Sequence, residues 1–186
     1  TQRWARGVCA TPPCDFGAHG AEPKDHVWMV EHYYPGATVV GGAHIGEPCG
    51  VLPPEGGTID DADSCAFRYG PSEFWRTESG GFADRLYWTN AFVSATPSNW
   101  GRFEMHFAEP GRYRIETHVP PGFGGHAAVR YEVDHAAGLA AIEIDQRSGD
   151  GWMAVGEHDF AELGEVRILD TADAVETDRR IAFDAI

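Results

Sequence analysis

AAVRYEVDHAAGLAAIEIDQRSGDGWMAVGEHDF, residues Ala127–Phe160, decides the fold class. Val129, Tyr131 and Val133 alternate with Arg130, Glu132 and Asp134. That is the period of two expected when one face of a strand meets a core and the other meets water. Ile142 and Ile144 repeat the pattern, with Glu143 and Asp145 turned outward. The polar run Arg147-Ser-Gly-Asp-Gly151 tolerates positive φ and precedes a restart at Trp152, so the stretch reads as a β-meander closed by a hairpin turn. No helical period runs through it.

The same period extends in both directions. Phe103, Met105 and Phe107 alternate with Arg102, Glu104 and His106, and Tyr113, Ile115, Thr117 and Val119 share one face of the next run. Leu86–Asn90, the pair Val166 and Ile168, and the closing Ile181, Phe183 and Ala185 add further strands. About eight short strands at this spacing indicate an all-β protein, a jelly-roll-like antiparallel β-sandwich.

Composition sets the outer bounds. With 186 residues, 42% hydrophobic and 12% aromatic, the chain holds enough apolar material for a real core. Twenty-nine acidic residues against fourteen basic ones give a net charge of -15. Such a charge repels phosphate backbones and anionic lipid, which argues against nucleic acid and membrane surfaces as partners. No apolar run approaches the roughly 20 residues of a membrane span.

The four cysteines, Cys9, Cys14, Cys49 and Cys65, form an even set within the first 65 residues. Their spacing lacks the paired Cys-x-x-Cys ligands of zinc sites, so two disulfides are expected. Pairing by proximity joins Cys9 to Cys14 and Cys49 to Cys65, although four cysteines allow three connectivities. Disulfides imply a secreted or extracellular setting. Asp25–Gly36 has the apolar spacing of a short amphipathic helix, with Asp25 as its cap and Pro35-Gly36 as its stop. Residues 39–57 are rich in Gly and Pro and read as a linker stapled at Cys49.

Five sequence features, taken in order, resemble the golvesin C-terminal-like domain over residues 57–186. They are Gly111-Arg-Tyr-Arg-Ile-Glu, Tyr131-Glu-Val-Asp-His, Asp145-Gln146, Gly151-Trp152-Met-Ala-Val-Gly156 and Phe183-Asp184-Ala185. The resemblance implies a β-sandwich related in shape to carbohydrate-binding jelly rolls and attached to secreted enzymes and surface proteins. Glu31-His-Tyr-Tyr-Pro-Gly-Ala37, preceded by Arg-Trp-Ala-Arg-Gly, is similar to the end of a sporulation stage II protein D-like domain. That family is a peptidoglycan-cleaving lytic transglycosylase whose catalytic glutamate lies upstream of such a tail. The expected organisation is therefore a tail over 1–38, a linker over 39–57 and the sandwich over 58–186.

No assembled catalytic motif is present. The nine histidines are scattered, no pair has His-x-x-x-His spacing, and the serines lack the Gly-x-Ser-x-Gly context. Asp60, Asp61 and Asp63, joined by Asp184 from the end of the domain, are candidate calcium ligands, because hard oxygen donors suit that ion. The competing reading makes them solvated turn residues or acceptors of backbone hydrogen bonds. Tyr69, Trp75, Arg76, Asn90 and Asn99 are candidate sugar contacts, with Phe74 and Phe82 beside the ring platform and Trp88, Trp100 and Trp152 assigned to the core. The expected function is a non-catalytic module binding cell-wall or extracellular polysaccharide. Two alternatives are a structural, self-associating protein and the C-terminal fragment of a lytic transglycosylase.

Overall fold

The computed structural model describes residues 50–186, except 124, 175 and 176. Thirteen strands follow one another among the described residues: β1 (Val51–Leu52), β2 (Ala66–Tyr69), β3 (Arg76–Ser79), β4 (Arg85–Asn90), β5 (Phe92–Val93), β6 (Trp100–Phe107) and β7 (Gly111–Val119), then β8 (Val129–His135), β9 (Gly138–Ile144), β10 (Gly151–Phe160), β11 (Leu163–Leu169), β12 (Thr171–Ala172) and β13 (Arg180–Phe183). Two single-turn 3₁₀ segments, Ser72–Phe74 and Gln146–Ser148, interrupt them. Among the described residues no helix is long and apolar enough to cross a membrane.

One layer is a six-stranded sheet in the order β1-β6-β11-β8-β9, with β2 also paired to β6. The facing layer holds the ribbon β10-β7 and the three strands β13-β4-β3. These two pieces meet where the His118 N–H donates to the Ala185 carbonyl (2.9 Å), so the residues after β13 run along the edge of β7. Ile59 and Ile186 exchange reciprocal backbone bonds of 2.9 and 3.0 Å at the same seam. All-β sandwich is thus the observed class. Two short pairs, β1 with β6 and β12 with β5, are parallel.

The alternation read from the sequence marks the core faithfully. Phe103, Val129, Tyr131, Val133 and Val166 are all fully buried, at 0% exposure. Phe103 stacks on Phe183 across the layers at 4.4 Å, and Phe107 stacks on Phe160 at 4.8 Å. Gly101 makes the first of these packings feasible, since a Cβ there would lie 2.1 Å from the Phe183 ring.

Two expectations are corrected. The β-meander holds only for β8 and β9, whose two-residue turn ends at Gly138 with φ 114°. After the 3₁₀ turn, β10 leaves that sheet and pairs with β7 from Gly151↔Val119 to Phe160↔Gly111. The expected linker over 39–57 also ends early: Val51 and Leu52 pair with His106 and Phe107, and are part of the large sheet. The helix expected over 25–36, the tail over 1–38 and the Cys9–Cys14 bond lie outside the described residues. Cys65 is buried and is not a free thiol, while Cys49, its expected partner, lies outside that range.

Gln146 ties the layers together through polar bonds. Its Nε2 donates to the Tyr131 hydroxyl (2.7 Å) and to the Ala182 carbonyl (3.3 Å), and its Oε1 accepts the Ala182 N–H (2.8 Å). Burial of the phenol pushes the Tyr131 pKa up to about 12. The preceding Asp145 accepts the Arg147 N–H and so caps the 3₁₀ turn that delivers Gln146 inward.

Candidate functional site

The expected sugar platform does not assemble. Asn99 is 1% exposed, and its Nδ2 donates to the Pro71 carbonyl (3.0 Å), so its amide serves the loop and is closed to a ligand. Trp75 is half-buried, donates its indole N–H to the Tyr69 carbonyl (3.0 Å) and packs edge-on against Phe183 in the core. Tyr69 stacks on Trp100 at 4.0 Å on the outer face of the large sheet, where the Arg167 guanidinium also covers Trp100. Arg76 lies over the Trp88 ring, and Asn90 is exposed at the end of β4. Tyr69 and Trp75 are joined through that indole bond, while Arg76 lies on β3 and Asn90 on β4.

The four aspartates are brought near one another, and each already holds a donor on at least one oxygen. Asp61 is 3% exposed and takes a 2.9 Å bond from Arg85 on Oδ1. Asp63 accepts the Asp60 N–H (2.8 Å), and Asp60 accepts the Ala62 N–H (3.2 Å). Asp184 accepts the Phe82 N–H on both oxygens and faces His118. Among the described residues no three His, Cys, Asp or Glu side chains converge as a metal shell would require. These carboxylates hold backbone and arginine donors, as the competing reading expects, and calcium on Asp60, Asp61, Asp63 and Asp184 stays a proposal. The outer oxygens of Asp60 and Asp61 stay buried without a partner, and burial, with the Asp60 charge adding, pushes the Asp61 pKa up to about 6.

A different cluster is exposed. In β10, Met153 and Val155 turn inward, which places Trp152 on the outer side, 42% exposed. Trp152 sits opposite His118 in the β7–β10 register. Phe82, 46% exposed on the loop before β4, meets both rings edge-on, at 5.4 Å from Trp152 and 5.9 Å from His118. His118 and Trp152 are 5.2 Å apart. Beneath them the Asp184 carboxylate, 1% exposed, lies 2.6 Å from His118 Nδ1. Burial raises the Asp184 pKa, and the His118 and Phe82 hydrogen bonds oppose that rise.

Trp152 also closes one end of a cleft of about 170 Å³. Gly57 and Thr58, with Arg114 and Glu116 of β7, also line it, and Phe107 lies among the apolar lining residues. The Arg114 guanidinium bonds Glu116 at 2.7 Å, and Arg112 bonds Glu157 at 3.2 Å farther along the ribbon. An aromatic pair beside a small half-polar cleft suits a ligand with both apolar C–H faces and hydroxyl edges.

The model of the golvesin C-terminal domain matches residues 58–186. The chain belongs to the golvesin C-terminal domain family. Its Asp145-Gln146 feature is the capped turn and the interlayer amide, and Phe183-Asp184-Ala185 reaches the core, the exposed cluster and the seam. Among curated proteins none matches. Among solved structures, a Paenibacillus xanthan lyase is similar in fold, with a TM-score of 0.57 and 18% identity. The likeness covers 69% of this chain and 12% of that chain, so the golvesin C-terminal domain spans a small part of that enzyme's length.

Proposed function

We propose that this golvesin C-terminal domain is a non-catalytic accessory module of a secreted or surface protein, and that it binds extracellular or cell-wall polysaccharide. The observation that carries the reading is the pair Phe82 and Trp152, large rings left half in water and braced edge-on beside the cleft. Leaving such rings about half in solvent forgoes about 1 kcal/mol each, a cost that a stacked sugar ring offsets. The xanthan lyase of similar fold supports polysaccharide as the ligand class. The resemblance of residues 1–38 to the end of a lytic transglycosylase domain adds cell-wall glycan to the probes. Two disulfides, Cys9–Cys14 and Cys49–Cys65, fit the same extracellular setting.

Affinity electrophoresis through gels containing xanthan, and co-sedimentation with purified peptidoglycan, test the reading. Retardation by one of them is expected, weakened about tenfold in Trp152→Ala, since each stacked ring contributes on the order of 1 kcal/mol or more. Mobility unchanged by every polymer, together with large particles in light scattering, would transfer the reading to structural self-association.

A further inference from the structure

Asp184 is a buried carboxylate just after β13. Both of its oxygens accept the Phe82 N–H, at 3.0 and 3.1 Å, and Oδ2 lies 2.6 Å from His118 Nδ1. One side chain thus holds two of the three exposed rings, Phe82 through its backbone and His118 through its imidazole. We infer that Asp184 is the positioning residue of this aromatic cluster, and that it presents His118 Nε2 as an acceptor for a hydroxyl of an uncharged sugar. The inference rests on the polysaccharide reading and adds the polar contact to it.

The chemistry follows from donor and acceptor bookkeeping. A carboxylate that already accepts a backbone N–H on both oxygens takes a further donor, so the imidazole proton sits on Nδ1. In the neutral ring Nε2 then carries a lone pair. No hydrogen bond among the described residues reaches Nε2, and the His118 side chain is 14% exposed. The imidazole that carries this lone pair has its centroid 5.2 Å from that of Trp152 and 5.9 Å from that of Phe82, within reach of the hydroxyl rim of a sugar stacked on those rings. It accepts from a hydroxyl and offers nothing to a uronate carboxylate, which the chain's charge of -15 also repels. Asp60 adds further negative charge near Asp184. The ligand class at this position is therefore a neutral, hydroxyl-rich sugar residue.

The test has a ligand-free arm and a binding arm. Long-range ¹H–¹⁵N spectra of the full chain at pH 7.5 are expected to show His118 as the Nδ1–H tautomer, and Asp184→Asn is expected to abolish that preference. An Nε2–H signature in the wild type, or one indifferent to Asp184→Asn, overturns the inference. In the binding arm, hydroxyethyl cellulose is the neutral probe and polygalacturonate the acidic one. Tighter binding of the neutral polymer is expected, with a loss of about tenfold in His118→Phe and partial recovery in His118→Gln, which restores an acceptor oxygen. Binding abolished by Trp152→Ala but unchanged by His118→Phe overturns this inference and leaves the polysaccharide reading standing. Preference for polygalacturonate overturns it as well, and failure of both polymers together with xanthan and peptidoglycan overturns both.

Discussion

Replacing Asp61 by Asn should stabilise the protein at pH 8 and do nothing of the kind at pH 4. The Asp61 side chain is 1% exposed, bonded to Arg85 on one oxygen and unpartnered on the other. Its pKa rises from 3.8 to about 6, chiefly because burial disfavours the charged form. The folded state therefore binds a proton more tightly than the unfolded state does, and stability falls as pH climbs from about 4 to 6. At 1.36 kcal/mol per pH unit, the ionised carboxylate costs the fold about 3 kcal/mol once the pH exceeds 6. Asn keeps an oxygen for Arg85, and the attraction of Arg85 for the ionised carboxylate is already contained in that shift. The gain at pH 8 is therefore about 3 kcal/mol, or about 6 to 12 °C in the thermal midpoint for a chain of this size. Urea unfolding followed by tryptophan fluorescence at pH 4 and pH 8 measures the difference directly. Equal differences at both pH values, or a destabilised variant at pH 8, would show that Asp61 is not held at a cost and would refute the reasoning.

Gln146→Leu should lose about 2 to 4 kcal/mol, because the Ala182 N–H and C=O would be left without their partner in a dry core and the Tyr131 hydroxyl would keep only Thr117; chemical denaturation checks this, and a loss under 1 kcal/mol would mean the network is dispensable. Calcium at 5 mM is expected to leave the thermal midpoint unmoved, since it would have to displace the Arg85, His118 and backbone donors that each hold an oxygen of these aspartates. A rise of several degrees that vanishes in Asp61→Asn would restore the metal. Non-reducing peptide mapping is expected to join Cys49 to Cys65 and Cys9 to Cys14; Cys65 joined to Cys9 or Cys14 would refute the proximity pairing.

Alternation told which side of each strand is buried, because that depends only on a residue's own face. It did not tell which strands are neighbours. β10 follows β9 after a short turn, yet pairs with β7, since pairing is decided by layer packing and not by the local pattern. Trp152 was assignable from the sequence after all. Met153 and Val155 are the inward pair of Gly151-Trp-Met-Ala-Val, so period two places Trp152 outside; weighting ring size over parity put it in the core. Asn99 shows the opposite limit. Nothing local announces that its amide would be consumed by the Pro71 carbonyl, 28 residues earlier in the chain. The aspartates were legible as a neighbourhood but not as a function, because Phe82 and Arg85, which claim their oxygens, carry no distinguishing pattern.

Phe183, Asp184 and Ala185 show how the core and the exposed cluster share one strand end without sharing a side chain. Phe183 points inward, stacked on Phe103 and lying against Gly101. Asp184 points the other way, yet the loop carrying Gly81 and Phe82 covers it so closely that a Cβ at Gly81 would come within 2.6 Å of its Oδ1. Ala185 then uses its backbone, accepting from His118 and bridging Asp60, to close the seam between the layers. Period-two geometry thus gives packing to one residue and ring placement to the next, and the carboxylate's burial cost is offset by apolar contacts on the residues either side. A rigid sandwich end is what an exposed pair of rings needs, because stacking on a sugar is weak per ring and survives only where the rings are already held in place.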